Sequence, residues 1–200
     1  MLPTTPSFPP TRHARGLSLV EVLITLVVLA FGLLGLAAFQ AKAHVGTLES
    51  YQRAQAAVLL QDMQSRLSGN SAHAADYTTD EPLGAGSEVG EDCSAEAAGS
   101  ARDLCEWSAA LKGAAEQRGT GTSTSNVGAM QDARGCIAEV QAKNEAAGVC
   151  TPAVYLVTVA WQGMHPTRAP AQACGKDLYG EDTHRRAVSV RVAVGLPGCI

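Results

Sequence analysis

Aromatic residues are scarce in this chain, only 4% of 200 residues. Its core must therefore be built mainly from small and aliphatic side chains. Basic charge is also short: the formal net charge is −4, and no long basic run follows residue 16. Nucleic-acid binding thus lacks an electrostatic footprint. Close cysteine pairs are missing as well. Cys93, Cys105, Cys136, Cys150, Cys174 and Cys199 form no C-x-x-C motif. A zinc site wants such pairs, or cysteines beside histidines, because four ligands must converge tetrahedrally. An even count at wide spacing suits disulfides in an oxidising compartment. All six cysteines lie after residue 90, so the C-terminal part is the one expected outside the cytoplasm.

Catalytic signatures are absent too. The sequence has no H-E-x-x-H, G-x-S-x-G or G-x-x-x-x-G-K-[ST]. His13, His44, His73, His165 and His184 fall in no ligand pattern. Gly119 and Gly121 lack the preceding strand and the remaining glycines of a phosphate loop. Asp103 and Trp107 read as a helix cap and a packed aromatic. Asp76, Asp80, Glu81, Glu88, Glu91 and Asp92 read as a solvated acidic loop without a calcium-loop pattern. The expectation is a non-enzyme with no metal and no cofactor.

What the sequence does have is a long apolar run. Residues 1–16 are proline-rich and end in Arg15-Gly16; Leu17 to Phe39 then reads LSLVEVLITLVVLAFGLLGLAAF. About 20 apolar residues suffice to cross a bilayer as a helix. Arg12 and Arg15 on the N-terminal flank place that end in the cytoplasm. The run is too long for the apolar core of an ordinary secretory signal, about 7–15 residues. Glu21 is its only charged residue. A carboxylate within a span costs energy on insertion, up to about 2.5–3.5 kcal/mol at the centre, and marks a functional hypothesis. Snorkelling to the headgroups is the plainer reading of Glu21.

Arg15-Gly16 followed by Leu17-Ser18-Leu19-Val20-Glu21 and an apolar stretch resembles the signal of type IV prepilins and pseudopilins. The resemblance implies a prepilin peptidase that cuts after Gly16 and methylates Leu17. Glu21 falls at the fifth mature position, where that class carries its acid. Leu17 departs from the Phe more usual at the first. When subunits pack, Glu21 of one could pair with the N-terminal amine of a neighbour. Each charge alone is costly to bury, and the pair costs much less.

Beyond Gln40 the sequence turns polar but keeps a helical pattern, with no proline from Leu17 to Leu67. Val45, Leu48, Ala56, Leu59, Met63 and Leu67 form a stripe with a gap at Gln52. Gly69-Asn70 is a stop signal. Gly32 and Gly35 read as ordinary membrane-helix composition. Residues 103–118 are predicted as a short helix and 119–126 as a flexible loop. Strands are predicted at Gly135–Val140, Val154–Gln162 and Ala187–Leu196 from alternation. Their apolar face needs a partner layer, which the amphipathic half of the long helix supplies.

This α+β layout is similar to the pilin fold: a long N-terminal helix on a small antiparallel sheet, with a disulfide-containing C-terminal region. More narrowly it resembles the PilV family of minor pilins, on Gly128-Ala129-Met130, Arg134-Gly135-Cys136-Ile137, Val157–Gly163, Cys174-Gly175 and Arg185-Arg186. The expected organisation is a leader at 1–16, an assembly and membrane-spanning helix at 17–39, its amphipathic continuation at 40–68, and a periplasmic domain at 69–200. The expected setting is the bacterial inner membrane, crossed once. The resemblance implies prepilin peptidase, other major and minor pilins and an inner-membrane assembly platform as partners. A type II secretion pseudopilin shares the N-terminal signal, though the simplest pseudopilins are shorter and cysteine-poor. A monomeric membrane-anchored periplasmic binding module is the third reading; Gly16 and Glu21 speak against it. Sequential cysteine pairing closes the shortest loops: Cys93–Cys105, Cys136–Cys150 and Cys174–Cys199.

Overall fold

The computed structural model describes residues 16–196 except 91, 115, 121, 122, 129 and 147. The expected leader apart from Gly16, and with it His13, lies outside the described residues, as do Cys199, Glu91, Gly121 and Ala129. The chain divides into two compact units between His44 and Val45, and helix α1 (Leu19–Gly69) contributes to both.

In the second unit α1 buries Gln52, Ala56, Leu60, Met63 and Leu67, at steps of three and four residues. This stripe corrects the predicted one in three places. Leu48 is 49% exposed, Leu60 is buried where Leu59 was expected, and Gln52 fills the apparent gap. Gln52 stands one step of four before Ala56, so geometry buries it although its side chain is polar. Past Asn70 the chain makes a 3-10 turn, Ser71–Tyr77, inside a segment expected to be loop.

The remaining elements are β1 (Leu83–Gly84), α2 (Ser100–Leu111), β2 (Gln117–Thr120), β3 (Ser123–Asn126), β4 (Arg134–Gln141), β5 (Ala153–Gln162) and β6 (Arg185–Val194). Strands β1-β4-β5-β6 form one antiparallel sheet in that order, and β2 pairs with β3 in a separate hairpin. The fold class is α+β, with the three predicted strands, β4, β5 and β6, forming three of the four strands of the main sheet.

Two local predictions fail. The helix expected at 103–118 begins at Ser100 and ends at Leu111. Gly113 follows with φ +81°, and a Cβ there would lie 2.6 Å from the Gly128 nitrogen. That left-handed, tightly packed turn stops the helix. The segment expected as a flexible loop then pairs as the β2–β3 hairpin, from Gln117–Asn126 to Thr120–Ser123.

One sheet face packs Tyr155, Val157, Val159 and Trp161 of β5 against Ala56, Leu60, Met63 and Leu67 of α1. Burying one such aliphatic side chain contributes roughly 1.5–3 kcal/mol. The opposite face is covered too. Cys174 and Tyr179 lie against Ala160, Cys136 and Ala187. Arg185, only 1% exposed, fixes this cover. It donates to Asp182 Oδ1 at 2.6 Å and Oδ2 at 2.9 Å. It also donates to the carbonyls of Cys174 at 3.0 Å, Pro170 at 3.2 Å and Gln172. All five guanidinium N–H groups thus have acceptors, which makes its burial tolerable.

Disulfides join Cys93 to Cys105 and Cys136 to Cys174. Sequential pairing therefore holds only for the first. The Cys136–Cys174 bond overturns the predicted Cys136–Cys150 and Cys174–Cys199 bonds, and the strand register explains the failure of the first. Cys136 stands opposite Thr158, whereas Cys150 lies near the Asn144–Thr151 bridge at the far end of the β4–β5 hairpin. Eight strand residues separate those positions by about 26 Å at ~3.3 Å each. Bridged cysteines need Cα atoms within about 7 Å. Cys150 is itself in a disulfide.

Candidate processing and assembly site

Gly16, Leu17 and Ser18 precede the first residue of α1, and Glu21 sits in its first turn. The Ser18 carbonyl accepts from the amides of Glu21 at 3.0 Å and Val22 at 3.2 Å, so Ser18 holds the N-cap position. Ser18 and Glu21 have the S-x-x-E spacing of a capping box. A carboxylate here also meets the positive end of the helix dipole. Glu21 therefore has a local reason to stand in the first turn, beyond any partner. This signal was readable in the sequence and went unused there.

Among the described residues, a Cβ at Gly16 would meet nothing within 4 Å. Leu17 is 76% exposed, and Glu21 is exposed beside it. Downstream, Leu23, Val28, Leu33, Leu36 and Phe39 are exposed as well. The Thr25 hydroxyl donates to the Val22 carbonyl at 2.8 Å, so this polar group is satisfied within its own helix. Helix α1 is long and apolar enough to cross a membrane, with a mean hydropathy of 2.7 over its most apolar stretch. It fits a membrane anchor.

The family model described as the prokaryotic N-terminal methylation motif matches residues 11–37. The N-terminus is that of a type IV prepilin-like protein. The motif embraces Gly16, Leu17 and Glu21 and supports a pilin-like or pseudopilin-like protein. It implies processing by prepilin peptidase and assembly with pilin-like partners, and its family is structural rather than enzymatic. No curated protein and no solved structure matches this chain.

The described cysteines all lie in the second unit, apart from the prepilin-like N-terminus in sequence. Trp107 is fully buried, and its Nε1–H donates to the Leu59 carbonyl at 3.0 Å. Asp103 is not the cap of α2, because Gly99 occupies the N-cap. It accepts instead from Arg66 Nη1 at 2.8 Å and from the Tyr77 hydroxyl. Arg66 also pairs with Asp62 at 3.1 Å and Glu106 at 2.7 Å, locking α1 to α2. Burial, together with the bond to Asp103, pushes the Tyr77 phenol above its ordinary range. Sequence reasoning missed Arg66, Tyr77 and the Arg185–Asp182 pair, because Asp103 and the carbonyls of Pro170, Gln172 and Cys174 are distant in sequence, while the nearby Asp62 and Asp182 form no motif by themselves.

Proposed function

We propose that this chain is a minor pilin of the PilV type, taking part in type IV pilus assembly. Prepilin peptidase removes residues 1–16 and methylates Leu17. The apolar helix at 17–39 holds the subunit in the inner membrane with residues 69–200 in the periplasm. It then packs among other pilins, where Glu21 pairs with a subunit N-terminus and sets axial register. The assembly platform and the other major and minor pilins are its partners.

The observation that carries this reading is the match of residues 11–37 to the N-terminal methylation motif, which embraces Gly16, Leu17 and Glu21. Among the described residues, no atom would lie within 4 Å of a Cβ at Gly16. A glycine requirement would then come from an enzyme cleft that closes around the junction. The exposed apolar side chains behind it agree, because they need lipid or neighbouring helices to cover them. A secretion pseudopilin would use the same N-terminus; three disulfide-capable pairs and long loops favour the minor pilin.

Deletion of the gene tests the choice. A minor pilin should be needed for surface pili while protein secretion continues. Loss of secretion with pili intact would make the chain a pseudopilin instead.

A further inference from the structure

Strand β6 ends the main sheet, with β5 on one side. Two backbone hydrogen bonds at the end of β5 give the direction of the backbone groups. The Gln162 amide donates to the Gln131 carbonyl, on the β4 side, and the Gly163 amide donates to the His184 carbonyl, on the β6 side. Backbone groups alternate along a strand, so odd-numbered residues of β5 face β6. Their register partners are Val188, Val190, Val192 and Val194. The N–H and C=O groups of Ala187, Ser189, Arg191 and Ala193 therefore point away from the sheet. Among the described residues, no backbone group bonds to these four.

Natural edges are usually shortened, bulged, or broken by proline and lysine. This edge is neither short, bulged nor interrupted by proline or lysine; it does carry charge, in the inward-pointing Arg185 and the exposed Arg191. Its register with β5 runs unbroken from Ala153–Val194 to Gln162–Arg185. Side chains on the helix-facing side are Val188, Val190, Val192 and Val194, with Val188 and Val190 only partly buried. On the other side Arg191 is exposed, and it enters none of the ion pairs among the described residues.

We propose that the outer edge of β6 receives an extended strand from a different pilin-like subunit, with a carboxylate placed to meet Arg191. The added strand hydrogen-bonds to Ala187, Ser189, Arg191 and Ala193 and extends the row of valines with its own apolar side chains. A second copy pairing through its own β6 edge is a poor occupant. Residues 187–194 contain no Asp or Glu, so edge-to-edge self-pairing brings a second Arg191 to the interface and no counter-charge. The inference rests on the assembly role proposed above and adds a docking surface and partner chemistry outside the N-terminal helix.

The test uses the full-length protein extracted from its native membrane, with co-purified pilin-like subunits quantified by mass spectrometry. A photo-crosslinking p-benzoylphenylalanine at Ala193 identifies the adjacent peptide. Ala193→Pro removes one outward N–H and leaves the β5 ladder intact. Arg191→Glu reverses the charge at an exposed position and should fold normally. Both should lower partner recovery by roughly tenfold or more, Arg191→Lys should retain it, and the crosslinked peptide should carry Asp or Glu. Changing that acid to Lys should restore recovery with Arg191→Glu. If the native protein recovers its partners and both variants recover them equally, the edge proposal is overturned and the assembly role stands. A crosslink only to a second copy also overturns it. If the native protein recovers no pilin-like subunit, the assembly role itself fails, and this inference with it.

Discussion

Gly135 lies directly beneath the indole of Trp107: a Cβ at 135 would stand 2.2 Å from Trp107 Cη2 and 2.7 Å from Leu111 Cδ1. Trp107 cannot swing away cheaply, because it is fully buried and hydrogen-bonded to Leu59. Gly135→Ala should therefore destabilise the protein by about 1–3 kcal/mol through overpacking. Denaturant unfolding of detergent-extracted protein, followed by tryptophan fluorescence, measures this.

Arg185 should be the most sensitive residue on the covered outer face of the sheet. Arg185→Met removes the donor from the carbonyls of Pro170, Gln172 and Cys174, and a buried acceptor left unsatisfied costs about 1–3 kcal/mol. The bond from Arg185 holds the Asp182 carboxyl below its ordinary value of 3.8. A depressed folded-state value means that the pair stabilises the fold above the ordinary carboxylate range. That contribution is lost as pH falls through the folded-state value. Unfolding curves from about pH 6 down to about pH 2 should show less acid sensitivity in Asp182→Asn than in the native chain.

Peptide mapping without reduction should recover Cys93–Cys105 and Cys136–Cys174. Cys150 is bonded as well, and the same map should name its partner. The 38-residue separation of Cys136 and Cys174 implies the larger stabilisation of the two mapped bonds. Loop entropy puts it at about 4 kcal/mol, against about 3 for the shorter loop. Removing Cys174 should lower the unfolding midpoint more than removing Cys93.

Periodicity made the strands legible. Val157, Val159 and Trp161 alternate with smaller or polar residues, and the β4, β5 and β6 segments emerged within a few residues of their bounds. The long helix was equally plain, since no proline interrupts it. Cysteine pairing was not legible, because it depends on which end of a hairpin each cysteine occupies. The β2–β3 hairpin hid because Gly, Ser and Thr carry no alternation of polarity. Gln52 and Arg185 were missed for a related reason: position in three dimensions buries them against the tendency of their chemistry. At the N-terminus the reverse holds. Gly16, Leu17 and Glu21 stood out through their resemblance to the prepilin signal, and among the described residues their surroundings add a helix cap.

Glu21→Ala should leave membrane insertion and cleavage intact. Removing the anion leaves an N-terminal amine without its partner in the packed helices, which typically costs ~3–5 kcal/mol. Recovery with other pilin subunits, normalised to membrane level, should fall more than a hundredfold, and Glu21→Asp should retain part of it. Equal incorporation of Glu21→Ala would reduce Glu21 to a capping residue.

The intact mass of the membrane-extracted protein tests the central claim most directly. The account predicts one species beginning at Leu17, carrying a single N-terminal methyl group and lacking residues 1–16. Gly16 replaced by a bulky residue should give uncut precursor with unchanged fold stability. A native mature protein that begins after Ala37 or Ala38, or that retains residues 1–16 without methylation, would contradict the account.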